Sequence, residues 1–200
     1  MATRRDSIEL FRSAPAQIIA GVLLVALIVT ARLLPHPANF TPVAAVGLFA
    51  GVYFRSKWAP LLPLTGLLIS DFYIGGYGAR GMTVVYGAFA LTFLIGKFMA
   101  RGGTFIKNGH FDTKLARVLG GSMLGAVLFF LITNNVFLYT PALYQHNFSG
   151  MIASYVAGLP FFRWQILGDL IYAGALFGAY EVARIWATRK TIRLVQSDKG

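Results

Sequence analysis

The sequence predicts an all-α polytopic membrane protein, a bundle of six transmembrane helices with both termini cytoplasmic. Three observations carry this. Of the 200 residues, 56% are hydrophobic and only 12% are charged, about half the roughly 25% charge of a soluble domain. Several apolar runs reach the roughly 17–25 residues that cross a bilayer. The basic residues also recur in every second connection between those runs, as orientation in a membrane requires.

Residues 1–14 form a polar, basic N-terminal segment holding Arg4, Arg5 and Arg12. The apolar run that follows, Ala14 to Ala31, is longer than the core of a secretory signal. It closes on Arg32-Leu-Leu-Pro-His-Pro rather than on a small-residue cleavage site, so an uncleaved first span is expected. Six spans are placed at 15–34, 42–54, 58–75, 83–100, 115–139 and 163–186, with a basic cytoplasmic tail at 187–200. The second span is short for a bilayer, and it is expected to tilt or to form a tight hairpin with the third across Arg55-Ser-Lys57. Pro35, Pro37, Pro42, Pro60, Pro63, Pro141 and Pro160 fall near segment ends, where a missing N–H costs little.

With the N-terminus inside, every basic residue except Arg32, Arg80 and Arg163 lies on the cytoplasmic side. The net charge of +11 is therefore an orientation signal, with attraction to anionic lipid as a side effect. Nucleic-acid binding is not expected. The absence of Cys excludes disulfides, thiolate metal ligands and a thiol nucleophile.

Small residues recur one turn apart at Ala16/Ala20, Gly47/Gly51, Gly121/Gly125 and Gly174/Gly178. Such pairs let helix backbones approach in lipid. Intramolecular packing is the simpler expectation, and Ala16 and Ala20 are the candidates for docking a partner membrane protein.

The stretch from Thr133 to Asp169 concentrates polar groups just inside the ends of two apolar segments, at the predicted outer face. Polar side chains at membrane depth are costly and mark function. Asn39, Asp71, Asn134, Asn135, Tyr139, Arg163, Trp164 and Asp169 are the candidate ligand-binding residues, lining a cavity open to the outside. Asp71 and Asp169 lie one to two turns below the outer helix ends, with Arg32 and Arg163 as expected partners. Two readings stand beside each other: interhelical ion pairs that fix the bundle, or a carboxylate exposed to a polar ligand. The uncharged stretch 140–162 repeats apolar residues at helical spacing (Phe148, Met151, Ile152, Tyr155, Val156, Leu159). It is expected to be a short interfacial helix or a lid over the cavity. His36, His110 and His146 show no metal-ligand spacing, no nucleotide-binding or hydrolase motif is present, and no cofactor is expected.

Arg32-Leu-Leu-Pro-His-Pro-Ala-Asn-Phe-Thr-Pro, Ser70-Asp71, Thr133-Asn-Asn and Leu159-Pro-Phe-Phe with Gly168-Asp169-Leu resemble a family of small bacterial membrane proteins of unknown function, over roughly residues 25–180. Size, span number and outward polar groups are also similar to the substrate-binding (S) components of energy-coupling factor transporters. That resemblance implies capture of a small vitamin-like molecule from outside the bacterial inner membrane. It further implies docking, through Ala16 and Ala20, onto a transmembrane coupling subunit with ATPases. The chain departs from the cobalt/nickel type, which begins Met-His, and from a solitary cobalamin binder that uses Cys as ligand. The other function classes are an enzyme acting on a lipid or isoprenoid through Asp71 and Asp169, and a ligand-free structural subunit.

Overall fold

The computed structural model describes residues 13–76, 78–101, 111–138 and 142–197, and all of the regular secondary structure within them is helical. Six α-helices follow in order: α1 Ala14–Leu33, α2 Val43–Tyr53, α3 Leu61–Ile74, α4 Ala79–Met99, α5 Phe111–Thr133 and α6 Phe148–Ser197. A short 3₁₀ turn, Asn135–Leu138, closes α5. Four of the helices, α1, α4, α5 and α6, are long and apolar enough to cross a membrane.

Local chemistry sets the ends. Ser13 caps α1 by accepting from Ala16 N at 3.4 Å, with Pro15 in the first turn. Asn147 caps α6 in the same way, its Oδ1 accepting from Gly150 N at 2.8 Å. The connection from α1 to α2 turns at Asn39, whose φ of 67° lies in the left-handed region that Asn tolerates. Phe40 N bonds Pro37 O at 3.0 Å, so Asn39 occupies the third position of a type II turn.

Helix α2 is the central post. All eleven of its residues are buried, and every other helix touches it. An apolar helix without a polar face is what a fully buried element should be. Its closest partner is α4, where side-chain volume is absent on both sides. A Cβ on Gly51 would collide with the carbonyl oxygen of Phe93, and one on Gly96 with that of Leu48. The Gly47/Gly51 pair is thus used inside the bundle, with Gly47 against Thr92. At about 16 Å, α2 is too short to span a roughly 30 Å hydrocarbon core alone. The buried run extends beyond both helix ends, from Thr41 to Phe54, and irregular backbone at that depth is tolerated when protein encloses it.

The packing pairs give the direction of each helix. Gly21 meets Leu62, Ile28 meets Gly66 and Arg32 meets Asp71, so α1 and α3 run parallel. Gly47 and Gly51 meet Thr92 and Phe93 in ascending order, so α2 and α4 are parallel. Gly168 packs on Phe40 and Thr41, and Phe177 and Tyr180 on Phe49, so α6 joins that set. Against it runs α5: Gly121 faces Met99, and Phe129 stacks on Phe89 at 4.5 Å. The chain therefore alternates direction at each helix. Of the described connecting residues, 34–42, 75–76, 78, 134–138 and 142–147 share one end, and 54–60 and 100–101 the other.

The second end is basic. Lys114 and Arg184 flank Glu181 at 3.1 and 2.7 Å. Lys57, Lys97 and Arg101 lie over the rings of Trp58, Phe93 and Phe98, an arrangement suited to a membrane interface.

Two expectations are corrected. The sixth span and the interfacial helix or lid within 140–162 are one continuous 50-residue helix that passes through Pro160. A missing N–H does not end a helix whose neighbouring turns are packed, as in membrane bundles. In its first turns the buried residues are Gly150, Ser154 and Gly158, while Phe148, Ile152 and Val156 are exposed. The apolar period was real, but it marks the outward face. The third span is also shorter than expected, starting at Leu61 rather than 58.

Candidate functional site

The two buried aspartates lie at the same end of the bundle, 4% and 1% exposed for Asp71 and Asp169. Their surroundings differ in kind. Asp71, in the last turns of α3, forms an ion pair with Arg32 in the last turn of α1. Its other oxygen accepts from the Tyr86 hydroxyl of α4 at 2.9 Å. Arg32 Nε donates to Ser70 Oγ at 2.7 Å, and that hydroxyl lies 2.8 and 2.9 Å from the Gly66 and Leu67 carbonyls. Three helices are joined by one network in which both carboxylate oxygens are occupied.

Among the described residues Asp169 has no ion-pair partner. Gln165, one turn earlier on α6 and also 1% exposed, donates Nε2 to Asp169 Oδ2 at 2.8 Å. Oδ1 is buried and has no hydrogen-bond partner among the described residues. The expected partner Arg163 does not reach it. Positions 165 and 169 share a helix face, whereas 163 and 169 point away from each other at about 100° per residue. Arg163 instead lies exposed over the Trp164 ring, 5.3 Å from its centroid.

The chain before α2 covers this region. Gly168 has no side chain to hold off the strand of backbone at Phe40 and Thr41: a Cβ there would meet Phe40 Cα at 3.1 Å and Thr41 N at 3.3 Å. Phe40 inserts its ring between two aromatics of α6, at 6.5 Å from Trp164 and 5.5 Å from Tyr172. Asn39 is exposed, and its described part is conformational, as the left-handed turn residue. Gln165 is among the polar groups of the 133–169 stretch, but sequence reasoning did not pair it with Asp169, and it missed Phe40 and Tyr172. The Gln165/Asp169 spacing of one turn was a usable signal; the approach of Phe40 depends on tertiary packing.

Asn134 and Asn135 turn back onto their own helix. Their side-chain amides donate to Phe130 O and Leu131 O, both at 2.9 Å, in the last turn of α5, where Phe130 O also accepts from Asn134 N at 3.1 Å. Asn134 Oδ1 fits against Gly158, where a Cβ would displace it. The Tyr155 hydroxyl, 2.7 Å from Leu131 O and 3.1 Å from Asn135 Oδ1, ties α6 to the same end. Tyr139 lies outside the described residues. The structure therefore sets Trp164 against Phe40, packs Gly168, the residue before Asp169, on the Phe40–Thr41 backbone, places Asp71 in a separate network, and uses the two Asn to join α5 to α6. On α1, Ala16 and Ala20 are half-buried, with Ala20 against the core, while Ile18, Ile19, Val22 and Leu23 face outward.

Helices of this length and apolarity, alternating in direction around a buried post, define a multi-pass α-helical membrane protein. Within that class the chain belongs to DUF6580, a family of unknown function, whose family model matches residues 12–191. No curated protein and no solved structure matches it.

Proposed function

We propose that this protein is a substrate-binding component of a membrane transport system that captures a small molecule from the outer side, with Asp169 Oδ1 as the receiving acceptor. The observation that carries this reading is the buried carboxyl oxygen without a hydrogen-bond partner among the described residues. An unsatisfied buried polar atom costs about 1–3 kcal/mol, and a ligand that donates to it recovers that cost. Segment 34–42 is the gate: Leu34 to Asn39 are exposed, and only Phe40 to Pro42 are held by α6 and the core. In this reading all six helices cross the bilayer, the basic end faces the cytoplasm and both termini lie inside. The resemblance to S components supports a transmembrane coupling subunit with ATPases as the partner that drives release.

The test is purification of the tagged protein in mild detergent, with mass spectrometry of co-purifying proteins and small molecules. The reading expects a stoichiometric small molecule that is lost in Asp169→Asn, and a coupling subunit with its ATPases. Recovery of the chain with lipid alone contradicts it.

A further inference from the structure

The basic end of the bundle holds a charge cluster that its own side chains leave unbalanced. The Glu181 carboxylate of α6 lies 3.1 Å from Lys114 Nζ of α5 and 2.7 Å from Arg184 Nη2, about one turn further along α6. Among the described residues two cations thus share one carboxylate, and one positive charge is left over. The two cations are placed differently. The Lys114 side chain is 9% exposed, whereas that of Arg184 is 24% exposed. Lys114 therefore offsets Glu181 from within the bundle, and Arg184 presents the surplus charge outward. Its guanidinium also has more N–H groups than one carboxylate contact occupies, and Nε is buried without a hydrogen-bond partner among the described residues.

The cluster sits at headgroup depth. At the same end Trp58 and Phe98 are exposed, with Lys57 and Arg101 over their rings, and Trp186 is exposed two residues beyond Arg184. Exposed aromatic rings among basic side chains mark the boundary between membrane and water. The anion abundant at that depth is phosphate, whose oxygens match the guanidinium fork.

We propose that Arg184, backed by Lys114, binds a phosphate group carried by the headgroup of an acidic phospholipid. The phosphate meets the part of the guanidinium that Glu181 does not occupy and supplies the negative charge the cluster lacks. Basic sites between membrane helices hold acidic headgroups in this way. The inference is independent of Asp169, which lies at the opposite end of the bundle.

The test titrates the purified full-length protein in detergent with phosphatidylglycerol, using phosphatidylcholine of the same chains as the zwitterionic control, and follows the unfolding temperature. A saturable rise with phosphatidylglycerol alone is expected. Arg184→Lys keeps the charge beside Glu181 but loses the fork, and should bind about tenfold more weakly. Glu181→Gln should bind more tightly than the parent, because the carboxylate no longer competes for the guanidinium; a purely structural ion pair gives no such gain. Arg189→Gln removes an exposed charge further along α6 and should leave the affinity unchanged. An equal rise with both lipids, no gain in Glu181→Gln, or equal weakening in Arg189→Gln and Arg184→Lys overturns the site in favour of diffuse attraction. Glycerol phosphate in solution separates the two sources of the group. A comparable rise without added lipid, weakened in Arg184→Lys, keeps the phosphate site and overturns the lipid as its carrier.

Discussion

Two aspartates sit buried at one end of this bundle, and the chain treats them in opposite ways. Asp71 is enclosed by three helices, each contributing a side chain, and every oxygen has a donor: Arg32 on one side and Tyr86 on the other. Asp169 depends on a single neighbour from its own helix and keeps one oxygen without a partner among the described residues. The first arrangement offsets its desolvation locally, so its role is to fix α1, α3 and α4 in register. The second leaves a cost unrecovered, and a folded protein retains such a cost where something else is to meet it. Completeness of hydrogen bonding, rather than burial or charge, separates the structural carboxylate from the candidate binding one.

The largest effect should come from breaking the complete network. Arg32→Met leaves a buried carboxylate without its cation, which costs about 3–5 kcal/mol, and denaturation in detergent should show a large loss of stability. Replacing both partners, Arg32→Met with Asp71→Leu, should recover much of that loss, because no unpaired charge remains. A double variant no better than Arg32→Met would mean that the pair is not the unit of stabilisation. Next in size is Gln165→Leu, which strips the remaining donor from Asp169; a cost of about 1–3 kcal/mol is expected, with ligand binding weakened as the carboxyl loses its orientation. Tyr86→Phe removes one donor of two from Asp71 and should cost about 1 kcal/mol without touching binding. The smallest effect on stability belongs to Asp169→Asn, which removes an uncompensated buried acid; a change within about 1 kcal/mol in either direction is expected, together with loss of the small molecule whose capture is proposed.

The asymmetry between the two sites also explains what could be read in advance. Helices α1, α4 and α5 were legible because an apolar run of span length admits few alternatives, and Gly47/Gly51 announced close packing. The buried α2 was marked by its shortness and lack of any polar face. Continuity of α6 was hidden by Pro160, which reads as a boundary in isolation, while packing of Gly150, Ser154 and Gly158 towards the bundle carries the helix through it. The exposed Phe148, Ile152 and Val156 inverted the usual rule, since in lipid the apolar face points outward. Depth along the sequence placed Arg32 and Arg163 equally well as partners for either aspartate. Only the parallel packing of α1 on α3 decides for Asp71, and helix geometry withdraws Arg163 from Asp169. Phe40 could not have been found at all, because its position rests on the absence of a side chain at Gly168, across the bundle.

The most direct measurement compares the thermal unfolding of Asp71→Asn and Asp169→Asn with the parent protein, in one detergent and at one pH. A completed network at Asp71 and an incomplete one at Asp169 predict that Asp71→Asn unfolds many degrees lower and that Asp169→Asn stays close to the parent. Equal losses, or a larger loss for Asp169→Asn, would contradict the distinction and make Asp169 a structural residue.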